Sequence, residues 1–238
     1  MNTLSPSLFT QTSASRLVEV GHRMTEDSTG RAWRFTLAGA SNLARGKLTV
    51  AATVDAQRIN LSFATAPAAN AKKVSVTIGT GNAAANDYQD GWLVVQDGTG
   101  EGRAYPIEGH DAITASTAGT FLLKEAIDTA GATAEVNVDL IKNFYAGAVI
   151  SVLDQADLVL GVPNVAITAA EYGWIQTYGP CAVLMDEAIT NGLALTIGTG
   201  VSGAVEANDA AGEAFLGHVA GTAGVDTEYQ LVDLAIRA

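Results

Sequence analysis

One glycine-rich loop carries oxygen ligands at a spacing that a calcium ion could use. It lies in the stretch WLVVQDGTGEGRAYPIE, residues 92–108. Positions 1, 3, 5, 6 and 12 of a twelve-residue calcium loop would be filled by Asp97, Thr99, Glu101, Gly102 and Glu108. Such loops join helices, whereas both flanks here are strand-like, and no Gly-Lys-Ser/Thr follows that would bind phosphate. We interpret the loop as a β-hairpin turn, with calcium as the alternative.

The single cysteine is the next candidate for chemistry. Cys181 follows Gly179-Pro180 and excludes an internal disulfide. A nucleophilic thiol needs a base within reach, and no local motif links Cys181 to any of the three histidines, His22, His110 and His218. The histidines also lack a metal-ligand spacing to one another. We interpret Cys181 as a small apolar residue that starts a strand.

Two acidic pairs in the C-terminal part could supply paired carboxylates. They are Asp186-Glu187 and Asp226-Thr227-Glu228, and paired carboxylates perform glycoside hydrolysis when they lie several ångströms apart. Both pairs fall at strand ends, where charged residues usually face solvent. The sequence therefore predicts no catalytic residue, no cofactor and no metal site.

Aromatic residues cluster in one short segment, EYGWIQTYGP, residues 171–180. In a strand, Trp174, Gln176 and Tyr178 would share one face, with Tyr172 two residues before them. Such a face can belong to the core, contact another subunit or stack on a sugar. We favour the core and keep the other two as alternatives.

Most of the chain that surrounds these residues alternates apolar and polar positions with a period of two. In one example, Val74, Val76 and Ile78 alternate with Ser75 and Thr77. Further strands are expected at Trp92–Gln96, Asn164–Thr168 and Trp174–Tyr178. The pentapeptide TIGTG occurs twice, at Thr77–Gly81 and Thr196–Gly200, and predicts two similar strand-to-turn exits. The sequence thus predicts an all-β fold.

Domain organisation follows from composition. Residues 1–30 are rich in Ser and Thr without a clear pattern, which predicts an extended N-terminal arm. Basic residues almost vanish after Gly147, which predicts a boundary between an N-terminal β domain, residues 31–146, and a C-terminal β domain, residues 147–238. Each would be a small sandwich or barrel.

Charge limits the possible partners. The chain has 238 residues and a formal net charge of −12, with 48% hydrophobic and 16% charged residues. An acidic body disfavours nucleic acid, which needs Lys and Arg against its phosphates. No apolar run approaches the ~20 residues that cross a bilayer. We expect neither nucleic acid nor membrane as a partner. The basic excess within residues 1–47 would suit an acidic protein partner.

Four segments resemble structural proteins of tailed bacteriophages, most closely the head decoration or capsid cement proteins. They are DYQDGWLVVQDGTGEGRAYPIEGHD, FLLKEAIDTAGATAEVNVDLIKNFYAGAVI, EYGWIQTYGPCAVLMDEAITNGLAL and TEYQLVDLAIRA. The resemblance runs from about Trp33 to Leu234 and is carried by turns and strands, not by catalytic motifs. It implies a non-enzymatic virion protein, made in the host cytoplasm, that lies on the outer capsid surface and bridges neighbouring copies of the major capsid protein, often as a homotrimer.

Three other functions stay open at this point. A carbohydrate-binding or host-adhesion module predicts a solvent-exposed Trp174 or Tyr172 beside polar groups. A minor tail structural protein would share the same composition, rich in Gly and Ala, and the same predominance of β-strands. A β-rich enzyme such as a depolymerase predicts a cleft in which carboxylates converge.

Overall fold

The computed structural model describes residues 9–131, 137–154 and 156–236. It is all-β, as the sequence predicts, with 42% strand and 2% helix. The strands are β1 (Arg23–Glu26), β2 (Arg31–Ala38), β3 (Thr49–Val50), β4 (Leu61–Thr65), β5 (Lys73–Thr77), β6 (Trp92–Asp97), β7 (Ala104–His110), β8 (Ala118–Leu123), β9 (Asn137–Ile141), β10 (Ala146–Ile150), β11 (Val159–Pro163), β12 (Tyr172–Leu184), β13 (Ala194–Ile197), β14 (Val205–Ala207), β15 (Gly217–Val219) and β16 (Tyr229–Ala235).

The chain divides into two compact units, one inserted into the other. The first comprises Met1–Ala52 and Phe144–Ala238, and the second is Thr53–Asn143. This division differs from the predicted domains 31–146 and 147–238. The predicted boundary near Gly147 lies close to Phe144, where the chain re-enters the first unit. The sequence analysis missed the other boundary, at Thr53, where the chain leaves the first unit. The reason is that β2 pairs with β10 and β12, more than 100 residues away, and composition carries no signal of such pairing.

The second unit is a closed six-stranded barrel with the order β4-β5-β8-β7-β6-β9. All of its strand pairs are antiparallel. The predicted alternation is confirmed in β5, where Val74 and Val76 are buried and Lys73 and Thr77 are exposed. Seventeen buried apolar residues form one core, so each strand turns one row of side chains inward.

A buried arginine holds one rim of the barrel. Arg58 ends a 3-10 turn, Ala56–Arg58, and is only 2% exposed. Its guanidinium donates to the carbonyl oxygens of Gln57 at 3.1 Å, Thr80 at 3.2 Å, Gly81 at 2.8 Å and Asn82 at 3.3 Å. Since these carbonyls belong to two separate turns, one side chain fixes both turns.

The two TIGTG segments form similar exits from their strands, as predicted. In the first, the backbone N–H and hydroxyl of Thr80 both donate to Oε1 of Gln57. In the second, the same two groups of Thr199 both donate to Oε2 of Glu206. In each copy, a side-chain oxygen from another segment caps the turn.

The first unit contains a ten-stranded sheet with the order β1-β2-β10-β3-β11-β12-β16-β15-β13-β14. An additional pairing of β2 with β12 joins β2, β10, β3, β11 and β12 into a ring. The long strand β12 pairs with β2 through residues 172–178 and with β16 through residues 178–184. The strand predicted at Asn164–Thr168 is wrong, because β11 occupies Val159–Pro163 instead.

The predicted N-terminal arm lies partly outside the described residues, which begin at Phe9. From there on, the segment packs against its own unit. The Phe9 ring stacks on Trp33 with centroids 4.6 Å apart and meets Trp174 edge-on at 5.8 Å. The strand β1 forms a hairpin with β2. Residues 9–30 therefore cover the aromatic core of Phe9, Trp33, Phe35 and Trp174.

A neutral histidine is built into the barrel. His110 lies at the end of β7 and is 6% exposed. Its Nε2 accepts a hydrogen bond from the backbone N–H of Tyr88 at 3.1 Å, and its Nδ1 donates to the carbonyl of Asp111 at 2.7 Å. The ring also contacts Phe121, with centroids 4.9 Å apart. Both ring nitrogens are used by the neutral tautomer, and burial lowers the pKa of His110 below its usual 6.5.

We expect the barrel to lose stability as the pH falls below about 6.5. The unfolded chain binds a proton at His110 near that pH, while the folded chain resists it until the lower folded pKa is reached. The free energy of unfolding should therefore decrease between the two pKa values and then level off. Urea unfolding between pH 7.5 and 5 measures this, with hydrogen exchange of the barrel amides as the local readout.

The variant His110→Asn should lose most of this pH dependence, whereas His218→Asn, which changes an exposed histidine of the other unit, should keep it. An identical pH profile for wild type and His110→Asn would show that other groups cause the effect.

Candidate interaction surface

The loop with calcium-like spacing is a β-hairpin that joins β6 and β7. Gly98, Gly100 and Gly102 have φ values of +82°, +89° and +81°, a region that favours glycine. Oδ1 of Asp97 accepts from the N–H of Gly98 at 2.8 Å. Glu108 lies in β7, and the register Trp92↔Pro106 places it beside residue 90. It is therefore separated from Asp97 by about seven residues of strand, or ~20 Å.

Because Asp97 and Glu108 cannot reach one ion, calcium and chelators should leave the melting temperature unchanged. A ligand selective for the native state at 100 times its dissociation constant would stabilise it by about 2.7 kcal/mol, which calorimetry detects easily. A reproducible upward shift with calcium, abolished in Asp97→Ala, would contradict the hairpin interpretation. The variant Thr120→Ala, on the outer face of β8, is the matched control.

Cys181 is buried in β12 of the first unit, with 4% of its surface exposed. Burial raises the pKa of its thiol from 9.0 to about 12. Its Sγ lies 3.5 Å from Oδ1 of Asn164. A thiol that stays protonated and inaccessible is not a nucleophile, so the structure supports the interpretation of Cys181 as a core residue.

The carboxylates of the first acidic pair bind backbone amides. Oδ2 of Asp186 accepts from the N–H of Gly200 at 2.6 Å, and Oε1 of Glu187 accepts from the N–H of Ala207 at 2.9 Å. The other pair flanks Thr227, whose φ is +60°, in a turn closed by the backbone bond from the N–H of Glu228 to the carbonyl of Val225 at 3.1 Å. The first pair therefore stabilises the backbone around it, and the second lies in an exposed turn.

The aromatic segment divides between core and surface. Trp174 is 2% exposed and lies 5.1 Å from the Phe35 ring, and Tyr172 stacks on Phe35 at 5.5 Å. Tyr178, in contrast, is 44% exposed. The prediction of a core role is confirmed for Trp174. The shared face with Tyr178 is wrong, because the register with β2 shifts between Gln176 and Tyr178.

That shift belongs to a bend in β12 that one buried amide organises. Nε2 of Gln176 lies 3.0, 3.1 and 2.8 Å from the carbonyl oxygens of Tyr178, Gly179 and Pro180. Its Oε1 accepts from Nδ2 of Asn164 at 3.3 Å. Gly179 has a φ of +81°, and a Cβ there would lie 3.2 Å from the Cα of Arg31. The bend redirects β12 from β2 to β16.

Beyond the bend, β12 and β16 present an outer face that is mostly apolar. Along the register Tyr178↔Ala235, Pro180↔Asp233, Ala182↔Leu231 and Leu184↔Tyr229, alternate side chains point outward. We call this surface the β12–β16 face and define it by its exposed residues: Tyr178, Pro180, Ala182, Tyr229, Leu231 and Asp233. Tyr178, Tyr229 and Leu231 are each about half exposed, at 44%, 53% and 46%.

Of the six residues that define this face, only Asp233 is charged. At one end, exposed Arg45 lines a cleft of about 460 Å³ together with Gly46, Pro163, Asn164, Ala182 and Tyr229. Gly46 has a φ of +69°, and a Cβ there would lie 2.6 Å from the Tyr229 ring, so only glycine lets the ring lie over the backbone. At the other end, Asp233 pairs in register with exposed His218 of β15.

The barrel has a separate apolar surface of its own. Trp92 on β6 pairs in register with Pro106 on β7. On β8, the next strand, Leu122 faces outward between Gly109 of β7 and Lys73 of β5. Trp92 and Leu122 are each 36% exposed. We call this surface the barrel patch and define it by Trp92, Pro106 and Leu122.

Comparisons with family models, curated proteins and solved structures find no match to this chain. Within the described residues, no group of three or more His, Cys, Asp or Glu side chains is placed to hold a metal ion. In the same part of the chain, no helix is long and apolar enough to cross a membrane.

The sequence analysis missed the residues that form the β12–β16 face. A signal was present in the segment YQLVDLA, residues 229–235. In a strand, Tyr229 and Leu231 would give one face apolar side chains, and Val232 and Leu234 would do so on the opposite face. A strand that is apolar on both faces indicates that both faces are covered. Here Val232 and Leu234 belong to the core, which leaves Tyr229 and Leu231 uncovered.

Proposed function

We propose that this chain is a structural virion protein that decorates a phage capsid and stabilises it by bridging neighbouring major capsid subunits. The observation that carries the proposal is that each of the two units has its own exposed apolar surface, the β12–β16 face in one and the barrel patch in the other. A bridging oligomer needs one surface that joins its copies and another that binds the capsid. Exposed apolar patches on folded chains mark interaction sites.

Further support comes from how the polar residues are used. The carboxylates of Asp186 and Glu187 bind turn amides, and Cys181 is buried with a raised pKa. These groups stabilise the fold and are not placed for catalysis, which favours a non-enzymatic role. The resemblance of four segments to head decoration proteins points in the same direction.

In the proposed role, the protein lies on the outer capsid surface and adds contacts across the seams between capsomers. A stable interface buries about 800 Å² on each partner, and apolar surfaces with few charges avoid the cost of desolvating ions. We propose a homotrimer, which suits three-fold positions of an icosahedral shell. Closed symmetric oligomers of this kind also multiply weak contacts.

Particles that lack this protein test the proposal. Adding the purified protein should restore co-sedimentation with the shells and raise the temperature at which the genome is released. The barrel-patch variant Trp92→Glu should weaken co-sedimentation by about tenfold or more, because it places a charge in an apolar contact. Ser62→Glu, on the exposed face of β4, which pairs with β5 and β9 and not with the strands of the patch, should have little effect. Absence of binding and unchanged heat release would overturn the proposal.

A host-adhesion module is the second candidate, and the exposed ring of Trp92 is the observation that favours it. The feature first expected for this function, an exposed Trp174, is absent because Trp174 is buried. Quenching or enhancement of Trp92 fluorescence by host-surface glycans, lost in Trp92→Ala, would favour adhesion over decoration.

A further inference from the structure

The β12–β16 face combines three properties that together specify its occupant. Its centre is apolar, with Ala182 beside Leu231 and Tyr229 exposed next to them. One end carries Arg45, and the other end carries Asp233 beside His218. Arg45 lines the cleft beside Tyr229, and Asp233 is four residues along β16 from Tyr229, or roughly 13 Å along the strand.

We propose that a second copy of this chain docks on the β12–β16 face, with Arg45 of one copy facing Asp233 of the other. A face with a cation at one end and an anion at the other is complementary to itself when the two copies run in opposite directions or follow one another around a ring. This inference rests on the proposed function, which includes self-association. It adds the surface through which the copies meet and the pairing of Arg45 with Asp233.

The net charge of the chain disfavours contact between copies over most of the surface, and it makes this face the better place for a second copy to bind. Two chains that each carry a formal charge of −12 repel one another at long range. Contact between copies therefore requires a surface on which charges are few and balanced. From Ser151 onward eleven acidic side chains accompany a single basic residue, yet the face itself has one acidic side chain, Asp233, and Arg45 at its other end.

The chemistry of the centre adds to this. Tyrosine and leucine side chains gain by leaving water, at about 25 cal/mol per Å² of apolar surface. Tyrosine also contributes rigid contact area with few rotatable bonds, and it is enriched at interfaces. The bend fixed by Gln176 and Gly179 sets the direction of this face, so the surface is rigid before the second copy arrives.

Light scattering and sedimentation of the free, full-length protein test the inference without any shell. The wild type should be an oligomer at micromolar concentration. Leu231→Glu should dissociate it by raising the dissociation constant at least about tenfold, while the matched substitution Leu122→Glu on the barrel patch should not. Circular dichroism checks that both variants fold.

Charge reversal gives the sharper test, because Arg45 and Asp233 are both exposed and tolerate substitution. Arg45→Glu and Asp233→Arg should each weaken association by about tenfold. The double variant should restore association in either arrangement. A mixture of the two single variants should restore a two-fold dimer but not a three-membered ring, in which two copies of the same variant must meet.

Failure of the double variant to associate would overturn the pairing, and a monomeric wild type would overturn the interface. A dimer in place of a trimer would support this interface and contradict the proposed trimer. Loss of shell binding with intact association would contradict the proposed function alone.

Discussion

Replacing Arg58 by methionine should lower the free energy of unfolding of the barrel by about 3 kcal/mol. Methionine keeps the unbranched stem but removes the guanidinium, which donates to the carbonyls of Gln57, Thr80, Gly81 and Asn82. Hydrogen bonds from a charged donor contribute about 1.5–3 kcal/mol each. The total stays below their sum because the turn at residues 80–82 is exposed, and water replaces part of what is lost.

The effect of this substitution should be confined to the barrel. Hydrogen exchange should accelerate at the amides of Thr80–Asn82 and β5 and leave β12 and β16 unchanged, since Arg58 contacts residues of its own unit. Arg103→Met is the matched control. Arg103 pairs with Asp128 at 2.9 Å on the surface, with about half of each side chain exposed, and such pairs contribute little. Equal stability of wild type and Arg58→Met would contradict the role given to the guanidinium.

Much of the strand content was predictable from the sequence, because alternation reports directly which side chains a strand buries. In β5 and β6 the predicted alternation matches the buried rows Val74, Val76 and Leu93, Val95. The β6–β7 turn was predictable for the same kind of reason, since Asp97 and three glycines specify a hairpin locally.

The insertion of the barrel was not predictable in this way. In the sequence, the two parts of the first unit are separated by the whole of Thr53–Asn143. No local pattern states which distant strands will pair. Arg58 was missed for a similar reason. An arginine beside Asp55 and Gln57 looks like a surface residue, and its burial depends on carbonyls more than 20 residues later.

The course of β12 shows how a local rule can mislead. The sequence predicted a strand at Trp174–Tyr178 and a separate strand that Cys181 starts. The structure instead has one strand, Tyr172–Leu184. Glycine adopts the left-handed conformation that the bend needs, and the three carbonyls of the bend share a single donor, the side chain of Gln176. A buried amide can therefore keep continuous a strand that glycine and proline would otherwise interrupt.

That observation leads to the second large expected effect, the substitution Gln176→Met. Gln176 is fully buried, and methionine preserves its volume while removing every polar atom. The carbonyls of Tyr178, Gly179 and Pro180 lose their donor, and Nδ2 of Asn164 loses its acceptor. Leaving buried polar groups unpaired costs about 1–3 kcal/mol for each group. We expect a loss of about 3 kcal/mol in the first unit, measured by urea unfolding.

The matched control is Gln230→Met in the neighbouring strand β16. Nε2 of Gln230 donates to the carbonyl of Thr222 at 3.0 Å in an exposed setting, so its loss should change stability by less than ~1 kcal/mol. Gln176→Met should also weaken self-association, because the bend orients Tyr178 and Pro180 on the β12–β16 face, whereas Gln230→Met should not. If Gln176→Met lowered stability but left association unchanged, the amide would support the core without setting the direction of the face. If it changed neither, the three carbonyls would find other donors, and the bend would be a property of Gly179 and Pro180 alone.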